Sequence, residues 1–184
     1  MTRVSAAYSG SNCFKVRDES FAPTAFFRLL SSFLIALVLD GLTKAWAEQA
    51  LVLHQPMPVI GEIFRLTLGY NSGVAFGLFA QGGILPLVVT GVVIVGLVVW
   101  LVSALRGGEF PPVAGLPIGL ILGGAIANFA DRLPDGRVTD FLDVGVGASR
   151  WPTFNLADSF IVLGVVFLML MISKRRVTDD LAER

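Results

Sequence analysis

Five aspartates lie in one polar segment, residues 123–161, between two apolar runs. Asp135 belongs to a Leu-Pro-Asp-Gly turn, and the four candidates for chemistry are Asp131, Asp140, Asp143 and Asp158. Ionisable groups at the edge of hydrocarbon are costly to place and usually have a task. Two carboxylates held a few ångströms apart cannot both ionise easily, so they share a proton. Such a pair can take a proton from water and donate one to a carbonyl oxygen or a leaving nitrogen. The segment therefore predicts acid–base chemistry, and its spacing alone leaves open which two aspartates pair.

Other catalytic groups are scarce in the sequence. Its one histidine, His54, lies in a proline-rich loop and is interpreted as incidental, and its one cysteine, Cys13, lies in the polar N-terminal tail. No serine sits in a nucleophile-elbow pattern, and neither a glycine-rich phosphate loop nor a cluster of metal ligands is evident. We therefore expect no metal and no organic cofactor. The formal net charge of zero gives no reason to expect a nucleic-acid partner.

Asparagines and an arginine accompany the aspartates. Asn128 and Arg132 are four residues apart at the predicted end of a helix, where a cation suits the helix dipole. Asn155 is a good N-cap, and Asp158 follows at the third helical position, where an acid suits the positive end of a helix. Capping explains these last two residues without catalysis. It does not explain why so many carboxylates gather beside this helix start.

Two polar sites lie earlier in the chain. Asp40 and Lys44 are four residues apart and share one helix face. Either each side chain extends separately to water, or the two form a structural pair that locks the helix to an outer sheet. Asn71 begins an Asn-Ser-Gly turn sequence, and its side chain either serves the turn or points at a ligand. The residues alone leave both questions open.

The composition is that of an integral membrane protein. The 184 residues are 54% hydrophobic and only 15% charged, with a mean hydropathy of +0.75, more apolar than an ordinary soluble domain. Apolar runs predict four membrane helices, at residues 25–47, 84–105, 113–130 and 156–172. We interpret the first run as a retained helix and not a cleaved signal peptide, because Asp40 and Lys44 would lie just before the cut.

Residues 51–82 are not apolar enough to cross a membrane. Apolar residues alternate with others at Phe64, Leu66, Leu68 and Tyr70, which predicts a short strand with one apolar face. We therefore expect a small sheet lying on the membrane surface.

The third predicted helix carries small residues at every fourth position: Gly115, Gly119, Gly123 and Ala127. Residues at this spacing share one helix face. Small side chains there predict close packing against a neighbouring helix.

Four spans place both chain ends on the same side of the membrane. Basic residues are more numerous on that side, which the positive-inside rule assigns to the cytoplasm. We therefore expect a mobile cytoplasmic tail at residues 1–24 and a second cytoplasmic tail at residues 174–184. The membrane domain between them, residues 25–173, then carries the aspartate-rich segment and the sheet at its outer face.

With these motifs the chain closely resembles the bacterial lipoprotein signal peptidases (signal peptidase II), over about residues 25–173. The resemblance rests on Asp40 with Lys44, NSGVAFG at residues 71–77, GGAIANFADR at 123–132, VTDF at 138–141 and PTFNLAD at 152–158. Two departures are Ala127, where the family's glycine is expected, and the long N-terminal tail.

The resemblance implies an α-helical membrane protein with four transmembrane helices and a small extracytoplasmic β-cradle. It also implies an aspartic endopeptidase that removes the signal peptide of prolipoproteins just before a diacylglyceryl-modified cysteine. By this likeness the catalytic pair is Asp140 and Asp158. The supporting residues implied are Asn71, Asn128, Arg132 and Asn155, which hold substrate or brace the pair, and Asp40, Lys44 and Gly73, which are structural.

The expected partners are diacylated prolipoproteins and membrane lipid, and the expected location is the bacterial cytoplasmic (inner) membrane, with the enzyme a monomer. An alternative is a small transporter or channel subunit whose carboxylates relay protons. That alternative predicts polar residues along the depth of several helices. The second predicted helix has only Thr90 and Ser103, which disfavours it.

Overall fold

A computed structural model describes residues 23–73, 84–106 and 112–182 of the chain. Within these ranges the long helices are α1 (Pro23–Ala50), α2 (Leu85–Arg106), α3 (Gly115–Arg132) and α4 (Leu156–Ala182). A single 3-10 turn, Pro112–Ala114, leads into α3. The strands are β1 (Met57–Ile60), β2 (Phe64–Asn71), β3 (Val138–Val146) and β4 (Ser149–Arg150). The protein is therefore mostly helical with one small sheet.

Two helices extend beyond their predicted ends. α1 begins at Pro23, inside the range assigned to the N-terminal tail, because proline suits the first position of a helix. The rest of that tail lies outside the described residues. α4 continues to Ala182, so most of the predicted C-terminal tail is helical. Residues 173–182 contain no glycine or proline to end the helix where the apolar run stops.

Three helical stretches in the described ranges are long and apolar enough to cross a membrane: Pro23–Ala50, Leu85–Ser103 and Leu156–Lys174. They correspond to the first, second and fourth predicted spans. The third predicted span, residues 113–130, forms a helix but is not confirmed as a membrane span. α3 has 18 residues, among them four glycines, an asparagine, an aspartate and an arginine, which lower its hydropathy.

The four strands form one antiparallel sheet in the order β1-β2-β3-β4. The strand predicted from the alternation at residues 64–70 is confirmed as β2. The sheet is not restricted to residues 51–82, however, because half of its strands come from residues 138–150. β3 extends past the VTDF sequence of residues 138–141 and runs to Val146. Its first four residues are all buried, so it lacks the polar alternation that marks a half-exposed strand.

Strand register places the polar residues of the sheet. In the β2–β3 pair, Gly69 lies opposite Asp140 and Asn71 lies opposite Val138. Side chains at directly opposed positions point to the same face of a sheet. Asp140 therefore faces a glycine across the ladder, with Asn71 as its diagonal neighbour.

α3 packs between α1 and α4 through its small residues. A Cβ atom added to Gly123 would lie 2.7 Å from the carbonyl oxygen of Phe33 in α1. One added to Gly124 would lie 2.5 Å from the carbonyl oxygen of Ala157 in α4. The predicted packing role of the small-residue face is confirmed for its glycines, which bring helix backbones into direct contact.

The sheet is attached to the helices by an apolar cluster. Ala47 and Leu51 at the end of α1 pack with Leu68 of β2 and Phe141 of β3. All four side chains are buried. This cluster fixes the depth of β3, and so the height of Asp140, relative to α1.

The close approach of α1 and α3 predicts a strong effect of Gly119→Ala. The added Cβ would overlap the carbonyl oxygen of Leu29 and the hydroxyl of Ser32, and forcing the helices apart costs about 1–3 kcal/mol. We expect a lower unfolding temperature in detergent micelles. The matched control is Gly96→Ala in α2, where the new methyl group meets no atom within 4 Å. An equal effect of both substitutions would contradict this account of the packing.

Candidate active site

Asp140 lies in β3 with its carboxylate held by two amides. Asn71 Nδ2 donates to Asp140 Oδ2 at 3.2 Å, and Asn155 Nδ2 donates to Asp140 Oδ1 at 2.7 Å. The residue is only 2% exposed. The ion pairs of the described residues do not include Asp140. Its charge is therefore stabilised by amide dipoles rather than by a neighbouring cation in direct contact.

This environment makes Asp140 a weaker acid than an ordinary aspartate. Burial, and next the negative charge of Asp158, raise the pKa of Asp140 from 3.8 to about 7. The hydrogen bonds from Asn71 and Asn155 and the charge of Lys44 act in the opposite direction and do not overcome these two effects. Near neutral pH, Asp140 therefore exists in both its protonated and its ionised form.

Asp158 is fixed at the start of α4 by the capping geometry that the sequence predicts. The backbone N–H of Asp158 donates to Asn155 Oδ1 at 3.0 Å, and Asn155 N–H donates back to Asp158 Oδ2 at 3.4 Å. The other carboxylate oxygen accepts from Asn128 Nδ2 at 2.8 Å. Capping and the amide of Asn128 together leave this carboxylate a single orientation.

Asn155 joins the two carboxylates. It is fully buried, and its Nδ2 lies 2.7 Å from Asp140 Oδ1 and 3.1 Å from Asn128 Oδ1. Its Oδ1 holds the backbone of Asp158. One asparagine side chain thus connects β3, α3 and the N-terminus of α4.

Asp40 and Lys44 form the structural pair that was one of the two interpretations. Their charged atoms are 2.7 Å apart, and the residues are only 1% and 5% exposed. The other interpretation, separate extension to water, is therefore wrong. The pair locks α1 to the other helices and not to the sheet, because Asp40 Oδ1 accepts from the N–H of Ala157 at 2.8 Å and Lys44 donates to Asn128 Oδ1 at 2.9 Å.

The remaining two aspartates have structural partners. Asp131 Oδ2 accepts from the N–H of Thr139 at 2.8 Å and lies 3.1 Å from Lys44 Nζ. The donors to the Asp143 carboxylate are Arg65 at 2.9 and 3.0 Å, Thr67 at 2.8 Å and Arg150 at 2.5 Å. Burial alone would raise the pKa of Asp143, but these donors hold it below its usual range. Asp143 therefore differs from Asp140, whose pKa is raised to about 7.

The Asn71 side chain serves the turn, which is one of the two uses that the sequence left open, and that it also points at a ligand stays a prediction. Its Oδ1 accepts from the N–H of Gly73 at 3.0 Å, which is turn geometry, while its Nδ2 points at Asp140. Arg132 donates to the carbonyl oxygen of Gly73 at 2.8 Å and so ties the end of α3 to this turn. Arg132 is buried, and its Nε has no hydrogen-bond partner among the described residues.

Sequence reasoning missed Thr139 and Glu48. Thr139 precedes Asp140, and its hydroxyl donates to Glu48 Oε1 at 2.8 Å. Its N–H binds Asp131, and its carbonyl oxygen accepts from Asn155 at 3.3 Å. The one available signal was the spacing of Glu48, four residues after Lys44 on the same face of α1.

A cavity of about 420 Å³ opens beside Asp140. Its lining includes Gly69 and Asn71 of β2, and Pro152 and Thr153 before α4. No group of three or more histidine, cysteine, aspartate and glutamate residues that could hold a metal ion occurs among residues 23–73, 84–106 and 112–182. The cavity therefore makes Asp140 accessible from the side of the sheet, and Asp158 is not among its described lining residues.

A family model and individual relatives both match this chain to one family of proteins. Residues 32–174 match the family model for signal peptidase (SPase) II. The lipoprotein signal peptidase of Syntrophus aciditrophicus is 38% identical over 147 residues, which cover 77% of this chain and 90% of that protein. That of Pseudomonas putida is 39% identical over 156 residues, covering 80% and 87%.

Two solved structures share the fold. Both are bacterial membrane enzymes solved by the in meso method, at 2.3 and 1.9 Å resolution. They superpose with TM-scores of 0.69 and 0.66, each at 24% sequence identity. The first match covers 79% of this chain and 87% of the solved one, and the second covers 78% and 91%.

The buried pair predicts a large effect of Asp40→Asn. The amide can still accept from Ala157, but Lys44 loses its nearest partner and is left buried with less compensation. Breaking such a pair costs about 3 kcal/mol, measured as a lower unfolding temperature in detergent micelles. The control is Glu62→Gln, which makes the same chemical change in a side chain that is 71% exposed beside Arg65 and should cost less than about 1 kcal/mol. Equal losses of stability in the two variants would mean that the buried ion pair contributes no more to stability than the exposed one.

Proposed function

We propose, because the chain belongs to the signal peptidase II family of proteases, that it is an aspartic endopeptidase acting within the membrane. Its substrates are lipoprotein precursors, and it removes their signal peptide by cutting just before a diacylglyceryl-modified cysteine. The observation that carries the catalytic type is the joining of Asp140 and Asp158 by Asn155, with the pKa of Asp140 raised to about 7.

Each carboxylate has a distinct step in the proposed mechanism. Ionised Asp158 takes a proton from water as the water oxygen attacks the scissile carbonyl carbon. Protonated Asp140 gives its proton to the carbonyl oxygen, which becomes a hydroxyl. When the C–N bond breaks, Asp158 passes its proton to the leaving nitrogen and the hydroxyl returns a proton to Asp140. The pair ends in its starting state.

The supporting residues keep the pair in place. Asn71, Asn128 and Asn155 orient the carboxylates through their amides. Arg132 fixes the turn at Gly73, next to the cavity that admits the substrate. Asp40 and Lys44 support the pair indirectly. Lys44 donates a hydrogen bond to Asn128, and Asp40 accepts one from the first turn of α4.

We further propose that all four long helices cross the membrane, with both chain ends in the cytoplasm and the pair near the outer face of the inner membrane. α3 lies between α1 and α4, so its glycines and polar residues meet protein rather than lipid. The substrate would enter from the lipid, keep its acyl chains there, and meet the pair beneath the sheet, which limits access of water. The enzyme acts as a monomer without a metal.

Replacing either acid by its amide tests the pair. Asp140→Asn and Asp158→Asn should each lower the cleavage rate of a diacylated prolipoprotein by roughly a thousandfold, because each removes a proton donor or acceptor from the transition state. The measurement is the rate with purified protein in micelles. Asp135→Asn makes the same change in an exposed turn and should leave the rate within about twofold. Near-normal cleavage by either variant of the pair would remove that residue from the mechanism.

The raised pKa of Asp140 predicts how activity depends on pH. The proton that Asp140 donates is present below about pH 7 and lost above it. The rate constant kcat should therefore fall by about tenfold per pH unit well above that point. A rate that holds steady between about pH 7 and 9 would exclude Asp140 as the proton donor.

The same shift predicts how stability depends on pH. The folded-state pKa of about 7 lies above the ordinary value of 3.8. Between these values the unfolded chain releases a proton that the folded chain keeps, so this residue lowers stability as pH rises. Asp140→Asn removes the effect. Its unfolding temperature should therefore rise relative to the unaltered protein between about pH 4 and 7 and hold a constant difference above pH 7. A constant difference throughout would contradict the shift.

A further inference from the structure

The cavity beside Asp140 is lined by more residues with polar side chains than with apolar ones, although polar and apolar atoms share its surface about evenly. Of its eleven described lining residues, seven carry a polar side chain, two are glycine, and only Leu68 and Pro152 are apolar. An apolar signal segment or an acyl chain gains little from such a surface, because burying apolar groups against polar ones leaves the polar groups unpaired. An extended polar peptide can satisfy them. The lining therefore fits a water-soluble stretch of substrate.

His54 lies on the rim of this cavity in an unusual conformation. Its φ is 59°, and it is the single non-glycine residue with a positive φ in the described ranges. This left-handed region is uncommon for residues with a side chain, and outliers of this kind cluster at functional sites. The backbone is held there because His54 N–H donates to the carbonyl oxygen of Leu68 at 2.9 Å, next to a parallel bridge between Leu53 and Leu68.

The distance from His54 to Asp140 can be derived from the strand pairing of the sheet. His54 is bonded to Leu68 of β2, whose neighbour Gly69 lies opposite Asp140 on β3. Two strand spacings thus separate the backbone of His54 from β3, which is about 10 Å. An extended peptide covers that distance in about three residues. The space between His54 and Asp140 is open at Gly69. Even an added Cβ atom there would meet only Thr153 Oγ1, at 3.8 Å.

We propose that His54 is a positioning residue that binds the mature side of the precursor, about three residues beyond the scissile bond. This inference rests on the proposed function. The precursor has three parts near the cut: the acyl chains, the apolar signal segment and the polar residues that follow the modified cysteine. The last part offers the most hydrogen-bonding groups to the seven polar side chains of the cavity, and an imidazole can exchange a hydrogen bond with its backbone amides.

Two substitutions separate this role from a merely structural one. His54→Ala removes the imidazole and keeps the unfavourable φ, whereas His54→Gly removes both, so the glycine variant should unfold at a higher temperature than the alanine variant. Both should raise KM about three- to tenfold, the worth of one hydrogen bond, with kcat within about twofold. His54→Asn tolerates this φ, keeps a donor and an acceptor, and should recover part of the loss. Gln55→Ala, beside the cavity but outside its lining, is the control and should leave KM unchanged.

A pair of substrates identifies the part that His54 binds. One synthetic diacylated lipopeptide ends in an amide directly after the modified cysteine, and the other continues through several mature residues. For the unaltered enzyme the longer peptide should have a KM lower by about three- to tenfold, and in His54→Ala this advantage should disappear, as in a double-mutant cycle.

An equal advantage of the longer peptide in both enzymes would overturn the inference, as would unchanged KM values in the alanine and glycine variants. Neither outcome would contradict the proposed function, because the enzyme would still cleave its substrate in a reaction that depends on Asp140. Failure of the unaltered enzyme to cut either peptide would overturn the proposed function and this inference with it.

Discussion

The buried side chain of Asn155 is the contact on which the rest of the site depends. Its amide nitrogen reaches Asp140 on β3 and Asn128 on α3, while its oxygen caps the first turn of α4 beside Asp158. A fully buried amide left without partners costs about 1–3 kcal/mol for each group. The three elements must therefore meet in one arrangement, and that arrangement brings together two acids from separate parts of the chain.

The aspartates around the site differ in what compensates their charge. Lys44 lies within ion-pair distance of Asp40 and Asp131, and Asp143 binds Arg65 and Arg150. These four cation–carboxylate contacts hold helices and strands together. Among the described residues Asp140 receives amide hydrogen bonds alone, so burial and the neighbouring negative charge dominate and its pKa rises. Of the cations in the described residues, Lys44, Arg65 and Arg150 thus contact the scaffold carboxylates, and none of them lies within ion-pair distance of the acid that is proposed to donate a proton.

The same contacts explain the unusual composition of α3. This helix must approach the backbones of both α1 and α4, and it must carry Asn128 to Asp158. Close approach requires glycine, and the contact with Asp158 requires a polar group. Both lower the hydropathy of a helix that lies between two apolar neighbours. Low hydropathy in α3 therefore reflects its central place among the helices.

Features that depend on residues close together in the chain could be predicted before the fold was known. These are the apolar runs of α1, α2 and α4, the alternating strand β2, the cap at Asn155 and the small-residue face of α3. Only the tertiary structure decided that Asp140 and Asp158 share an asparagine while Asp131 and Asp143 bind cations. It also decided that Lys44 reaches Asn128, 84 residues away, and that half of the sheet comes from residues 138–150. Such contacts are set by strand register and helix packing, because these bring together residues that no local spacing relates.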